Sequence, residues 1–540
     1  MINTRLHRVA GGAIVATLAL SMSVGSAATV TRGATRGAAQ QKPPAPTLQY
    51  NVLAEGGTLA AIVYRGWMDY FGVAIPGDTQ GSSSGPIDAS VQLLYGAVGT
   101  GGTQNDTANQ QSGWNDTTPN NPPNYNGSPI YNGGTVADDF LTTCQAGVHD
   151  NAQCGYQPVA GKTLEVRDGT TPAGNSVTPD SLGFGGGDAP FDLAELATYN
   201  NSNGQASGYN LQRGPLLQTP LVATAVSIPF NATGLTIPAN GQVRLSRNSL
   251  CGVLTGNITN WNDSRITADN GGTQISSNQP ITVVYRSDGS GTTFITSYDL
   301  YVICSQGNVQ PSNAWTQGVG TASAAFGSPP ANNTVVWPSN AVGQKGSSGV
   351  ASYIAGTQGT IGYLSPSYVA KAGGNEAYIQ NTAGAFVQAT VAATKAAIAT
   401  GPFVKSNQTS EIPPGYPYIA NTYIPLPSAA GASAITGYTF GYFYTCSPER
   451  ESIQVNKLHA YIKWAMTLQN PVGTLTPADT IAEANGLVEL PNKAPKTGGS
   501  SKALTNGEVN KLKATASSLS GTYTDPTTGN TLPYTCTPLQ

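Results

Sequence analysis

Charge is scarce in this chain. Asp, Glu, Lys and Arg make up 10% of its 540 residues, with a formal net charge of −3, where soluble domains usually carry about 25% charged residues. So weak a field gives no electrostatic reason to bind nucleic acid or acidic lipid. Histidine is scarcer still, three residues in all, and no C-x-x-C pair is present; a metal centre needs such ligands clustered, and no metal or cofactor is expected. Long apolar runs are also missing from the body of the chain. The stretch Ala429–Tyr444 is interrupted by Gly, Ser and Thr, and a bilayer span needs about 20 apolar residues. Wholesale disorder is excluded too, because it goes with high net charge and few aromatics, and the chain has 25 Tyr, 11 Phe and 6 Trp. What is present in quantity is apolar surface for one or two cores, together with 65 Gly and 37 Pro.

The first 28 residues read as a secretory signal. Arg5 and Arg8 supply the positive start, Ala10–Val24 the apolar stretch, and Gly25-Ser26-Ala27-Ala28 the small residues at a cleavage site. No Cys follows, so a lipid anchor is not expected. Residues 29–47 have Gly, Gln and Pro without an apolar period and read as a linker. The expected destination is the periplasm or the medium. Six cysteines then remain, Cys144, Cys154, Cys251, Cys304, Cys446 and Cys536, and an even count in an exported chain favours disulfides. Six Cys allow 15 connectivities. Pairing of chain neighbours (Cys144–Cys154, Cys251–Cys304, Cys446–Cys536) is the expectation.

Residues 96–135 are crowded with Gly, Asn, Thr and Pro and read as a long surface excursion. A strand pattern starts near Leu48, is followed by Gly56-Gly57-Thr58, and gives way to an amphipathic helix through Ile62, Trp67 and Tyr70. Strand-like runs recur at Leu221–Ile228, Ile281–Tyr285 and Tyr438–Tyr444. Helix-like runs recur at Thr292–Val302, Val387–Ala399 and Glu449–Leu468, the last with Val455, Leu458, Ile462 and Met466 on one face. Strands interleaved with helices predict an α/β fold.

The most informative stretch runs from Val283 to Phe294. An apolar strand ends in Arg286, turns through Asp288-Gly289-Ser290-Gly291 and opens a helix at Thr292. A helix start leaves backbone N–H groups unpaired and carries partial positive charge. Gly289 and Gly291 let an oxyanion approach that backbone, Ser290 and Thr292 add hydroxyl donors, and Arg286 adds a planar fork for two oxygens. The plainer alternative is a strand–turn–helix in which Ser290 caps the helix and Arg286 pairs with Asp288. Gly56-Gly57-Thr58-Leu59 and Gly99-Thr100-Gly101-Gly102 repeat the idea more weakly, and Phe184–Pro190 sets Asp188 in a Gly-rich bend. Nucleotide and hydrolase motifs fail. Gly161-Lys162-Thr163 lacks the upstream Gly of a P-loop, and Gly81-Ser82-Ser83-Ser84-Gly85 has no strand before it.

Taken in this order, these four stretches resemble the phosphate-binding proteins of the high-affinity phosphate ABC importer, the long branch known as DING proteins most of all. The resemblance is carried further by Leu250–Trp261, Val335-Val336-Trp337-Pro338 and Gly359-Thr360-Ile361-Gly362-Tyr363, and covers most of residues 50–100 and 183–540. It implies a two-lobed periplasmic-binding-protein fold of type II with hinge crossings near Ala225 and Ile435. Lobe one would hold residues 48–225 and 436–540, with an insertion at about 103–183; lobe two would hold 226–435. It implies a phosphate site made of Thr58, the backbone at Leu59, Thr100, Asp188, Arg286, Ser290, Gly291 and Thr292, with Asp288 holding the arginine. Thr58, Thr100 and Asp188 would belong to lobe one and Arg286 through Thr292 to lobe two. The insertion, about 80 residues between Gly102 and Gly183, is the one large departure from the shorter relatives.

The expected function is a non-enzymatic, monomeric receptor for inorganic phosphate that serves a membrane permease or scavenges phosphate. The alternative is a secreted phosphatase of the DING type, although phosphoester hydrolysis wants metal ions or a nucleophile with its base. An adhesive or matrix protein on the same fold is a third reading, favoured by failure to bind phosphate.

Overall fold

Tyr50–Gly56 (β1) and Val91–Gly96 (β2) alternate buried apolar side chains and pair in parallel, Tyr50 opposite Val91. Between them Ala61–Phe71 (α1) presents Val63, Tyr64, Trp67, Met68 and Phe71 at helical spacing, all buried in the same core as Val52, Val91 and Leu93. Parallel strands need such a crossover, and the helix then covers the sheet face. In this computed structural model the described residues are 50–74, 80–97, 99–108, 184–203, 216–325, 334–400, 424, 426–444, 446–447, 452–465, 475–490, 521–524, 531–534 and 537–538.

The chain continues through Thr100–Ala108 (α2), Phe184–Gly187 (β3), Leu193–Asn203 (α3) and Leu216–Ala225 (β4). It then builds a second half from Arg244–Leu245 (β5), Arg247–Leu254 (α4), Ser264–Asp269 (α5), Thr282–Arg286 (β6) and Gly291–Ile303 (α6). Ala322–Ala325 (β7), Thr334–Trp337 (β8), Val342–Gln344 (β9), Gly346–Gly356 (α7) and Thr360–Gly362 (β10) follow. Tyr378–Gln380 (β11), Phe386–Val387 (β12) and Val391–Thr400 (α8) complete that half. The chain returns in Thr436–Tyr444 (β13), Cys446–Ser447 (β14), Ser452–Ala465 (α9), Pro477–Ala484 (α10) and Leu487–Glu489 (β15).

One sheet of six strands runs in the order β15-β4-β13-β3-β1-β2. β1 is parallel to both its neighbours, whereas β13 is antiparallel to β3 and β4. The second half has a parallel sheet in the order β10-β6-β9 and a smaller one in the order β12-β11-β5. The chain leaves the large sheet after Ala225 and re-enters it at Thr436. The two passages run side by side, with Thr436 opposite Ala225 and the Val226 N–H donating to the Ile435 carbonyl at 3.0 Å.

The glycine strand β3 is shaped by its neighbours. A first side-chain carbon at Gly187 would fall 2.2 Å from the Tyr442 hydroxyl, so only Gly lets that ring lie across the strand. The chain at 100–108 differs from the surface excursion expected of residues 96–135. Thr100, Thr103, Gln104, Thr107 and Ala108 are buried in α2. Two of these polar side chains find backbone partners: the Thr103 hydroxyl donates to the Glu55 carbonyl at 3.2 Å, and the Gln104 amide to the Ala189 carbonyl at 3.1 Å, whereas the Thr107 hydroxyl is buried with no hydrogen-bond partner among the described residues. Residues 109–135 lie outside the described residues. The helix-like run from Val387 also divides, into β12 and then α8 from Val391.

A disulfide joins Cys251 in α4 to Cys304 at the end of α6, with Cα atoms 5.8 Å apart. Cys446 opens β14, which pairs with Thr537–Pro538, adjacent in the chain to Cys536. Cys144, Cys154, Cys536, residues 1–49 and the greater part of the insertion lie outside the described residues. No helix among the described residues is long and apolar enough to cross a membrane.

Candidate anion site

Arg286 is the last residue of β6, and its guanidinium is buried (1% exposed). Its Nε donates to Asp288 Oδ1 at 2.6 Å and Nη2 to Asp288 Oδ2, a fork-on-carboxylate pair. The Gly346 N–H donates to the same carboxylate at 3.0 Å. Burial works against ionisation of Asp288, but the Arg286 charge and these hydrogen bonds outweigh it and hold the carboxyl below its usual range. Tyr363, stacked on Trp337, fixes the strand end: its hydroxyl accepts the Arg286 N–H at 3.0 Å and bonds Thr293 Oγ1 at 2.7 Å.

Ser290 caps α6, its hydroxyl oxygen accepting the Thr293 N–H at 3.2 Å. An accepting hydroxyl still has its own hydrogen to give. The capping and ion-pair roles foreseen as the plainer alternative are therefore present, and neither uses up the donors needed for an anion. Arg286 Nη1 reaches past Asp288 to Ser347 Oγ at 3.2 Å.

The other half supplies the facing wall. Asp188 follows directly on β3, and Thr100 opens α2 after Gly99, which adopts φ +91°, the left-handed region that suits Gly. The Asp188 N–H donates to Thr100 Oγ1 at 3.1 Å, and that hydroxyl lies 3.3 Å from Asp188 Oδ2. The two walls touch. A first side-chain carbon at Gly291 would stand 2.4 Å from Asp188 Cβ and 2.6 Å from Thr100 Oγ1, and the Gly101 N–H donates to the Gly289 carbonyl at 3.2 Å. Thr58, in the turn that leads into α1, bonds Ser347 at 3.1 Å. The side chain of Leu59 is buried in the core, so any ligand contact from it must be through the backbone. The starts of α1, α2, α6 and α7 thus meet around Asp188 and Arg286, each bringing the positive end of its dipole. They sit at the carboxyl ends of parallel strands, where α/β sheets bind ligands.

Asp188 is the acidic member of this basic enclosure. Burial pushes its carboxyl up to about 7, against the pull of Arg286 and the Thr100 hydroxyl. Its Oδ1 is buried with no hydrogen-bond partner among the described residues, and so is the Thr292 hydroxyl. An enclosure of amide, hydroxyl and guanidinium donors with one carboxyl poised between acceptor and donor suits an oxyanion that carries a proton.

The sequence matches the PBP superfamily domain over residues 161–449, more than half of the chain. The chain belongs to the PBP superfamily. Within that superfamily it is 30% identical over 294 residues to the phosphate-binding protein PstS of Xylella fastidiosa (strain Temecula1), a match covering 53% of this chain and 73% of that protein. It is a PstS-type member. A protein of Pseudomonas aeruginosa named alkaline phosphatase L is 33% identical over 192 residues, 36% of this chain and 44% of its own. A solved high-affinity periplasmic phosphate-binding protein (PfluDING), bound with phosphate, overlays with a TM-score of 0.49 and 23% identity, covering 85% of this chain and 97% of its own.

In this PstS-type chain the structure brings together Thr58, Thr100, Asp188, Arg286, Asp288, Ser290, Gly291 and Thr292, drawn from stretches up to 234 residues apart by numbering. Sequence reasoning missed Ser347 and Tyr363. A signal for the first existed: Gly346-Ser347-Ser348-Gly349 is a further Gly-Ser turn opening a helix. Tyr363 stands in a stretch that carries the resemblance, but its contact with Arg286 had no sequence signal, because it depends on β10 lying beside β6.

Proposed function

We propose that this chain is an exported solute-binding protein that captures hydrogen phosphate between two lobes, residues 48–225 with 436–540 and residues 226–435, and either delivers it to the membrane permease of a phosphate importer or scavenges it. Residues 1–28 act as the cleaved signal and 29–47 as a tether. The reading rests on one observation above the rest: the donors of Arg286 and four helix starts converge on Asp188, whose buried Oδ1 is open to accept a proton from the ligand. Near neutral pH hydrogen phosphate has that proton and sulfate does not, so an ionised Asp188 attracts the one and repels the other. The passages at Ala225–Val226 and Ile435–Thr436 serve as the hinge, and an anion touching both lobes favours the closed form.

Purified protein, denatured and analysed by ion chromatography, is expected to release about one phosphate per chain and no sulfate. Protein that saturates with neither anion, or that releases sulfate, overturns the reading. The phosphatase alternative is favoured by the name of the Pseudomonas aeruginosa relative. Among the described residues no group of three or more His, Cys, Asp or Glu is placed to hold a metal. A chromogenic phosphoester assay with and without chelator decides it, and turnover would establish the enzyme.

A further inference from the structure

Ser347 stands where the two halves exchange a hydrogen bond. It is the second residue of α7, with no solvent exposure. Its Oγ is 3.2 Å from Arg286 Nη1 and 3.1 Å from Thr58 Oγ1, the second contact joining positions 289 residues apart. Gly346, immediately before it, donates its N–H to Asp288, the carboxylate that also holds Arg286. The turn that presents Ser347 is therefore tied to the arginine's own partner, and the hydroxyl has little freedom to move away.

The hydrogens along this path can be assigned by what each group is able to do. A guanidinium only donates, so Ser347 Oγ accepts from Arg286. A hydroxyl has one hydrogen to give, and Thr58 Oγ1 is the partner within reach. If Ser347 donates to Thr58, the Thr58 hydrogen is left for a further acceptor, and each bond polarises the next. If the direction were reversed, Thr58 would spend its only hydrogen on Ser347 and could not serve an anion.

We propose that Ser347 is a positioning residue for the anion site: it relays the Arg286 charge to Thr58, turns the Thr58 hydroxyl toward the bound oxyanion, and in doing so fastens one half of the molecule to the other. This rests on the phosphate reading above. The bond can form only when the halves are together, so the relay rewards closure as well as orienting the donor.

The test is a double-mutant cycle on phosphate affinity with Ser347→Ala, Thr58→Val and the double variant, all stripped of endogenous anion. Circular dichroism and thermal melting of each without phosphate check that the fold is kept. Ser347→Ala is expected to weaken phosphate binding about tenfold, mainly through faster dissociation, which is the size of one good hydrogen bond. The double variant is expected to bind no worse than Thr58→Val alone, because Ser347 acts through Thr58. Ser347→Cys, which keeps a weak donor of similar size, is expected to recover part of the loss. Losses that multiply in the double variant, or a Ser347→Ala protein with wild-type affinity, overturn the relay while leaving the phosphate reading intact. Wild-type protein that binds no phosphate overturns both.

Discussion

Asp188 shows how one buried carboxyl can decide which anion is held. Its environment contains a full positive charge and several helix starts, all of which would ionise it, yet burial prevails and leaves it titrating near neutrality. Below about pH 7 the protonated acid can donate to any oxyanion, sulfate included. Above it the carboxylate only accepts, so a ligand with its own proton is admitted and a fully ionised one is repelled. Phosphate-over-sulfate preference is therefore expected to rise as pH is raised from 5.5 to 8.5. Asp188→Asn is expected to remove that rise and to lower the preference at pH 8.5 by at least about tenfold. Competition titrations at the two pH values measure both effects; a variant with the wild-type preference would remove Asp188 from this role. The side chain's type and its Gly-rich setting could be read in the sequence. Its burial, and hence its altered acidity, could not, because both depend on Gly291 arriving from 103 positions further along the chain.

Helix α6 has a job at each end. Its first turn faces Asp188, while Asp299 near its other end accepts the Thr436 N–H at 2.7 Å, at the point where the chain re-enters the large sheet. Asp299 is fully buried with no cation beside it among the described residues, and burial raises its pKa well above the usual value, the opposing influence being the Thr436 hydrogen bond. The native protein thus keeps a proton that the unfolded chain releases from about pH 4 upward, so this group costs stability increasingly as pH rises through that window. Asp299→Asn keeps an acceptor and never ionises. The melting temperature of the variant minus that of the wild type is expected to grow by about 2–4 °C or more between pH 4.5 and pH 8. A difference that is flat or shrinks with pH would contradict this assignment. Strand and helix types were legible from periodicity: β6, α6, β13 and α9 fall within their expected runs to within a few residues. Where polar residues were buried, periodicity failed, as in α2, where the Thr103 and Gln104 side chains bond backbone carbonyls instead of meeting solvent.

The two halves meet through backbone as much as through side chains. Gly101 and Gly289 are in direct contact, Gly291 lies against Asp188, and the Thr58–Ser347 bond closes the remaining side. The turn at Gly289 could be read in the sequence as an anion cradle and the one at Gly101 as a weaker copy of it, but only the folded molecule shows that each is the other's partner. The resemblance to phosphate-binding proteins supplied the pairing of Arg286 with Asp188 that composition and spacing could not. What that pairing does depends on the guanidinium above all: it is the one full positive charge among the site residues named here, shared between Asp288 and Ser347 and close enough to act on Asp188. Calorimetric titration of phosphate into anion-stripped wild-type protein and into Arg286→Ala is therefore the most direct trial. One phosphate per chain is expected for the wild type, with a loss of at least about 100-fold in affinity for the variant. An Arg286→Ala protein that binds phosphate as tightly as the wild type would show that the anion is held somewhere else.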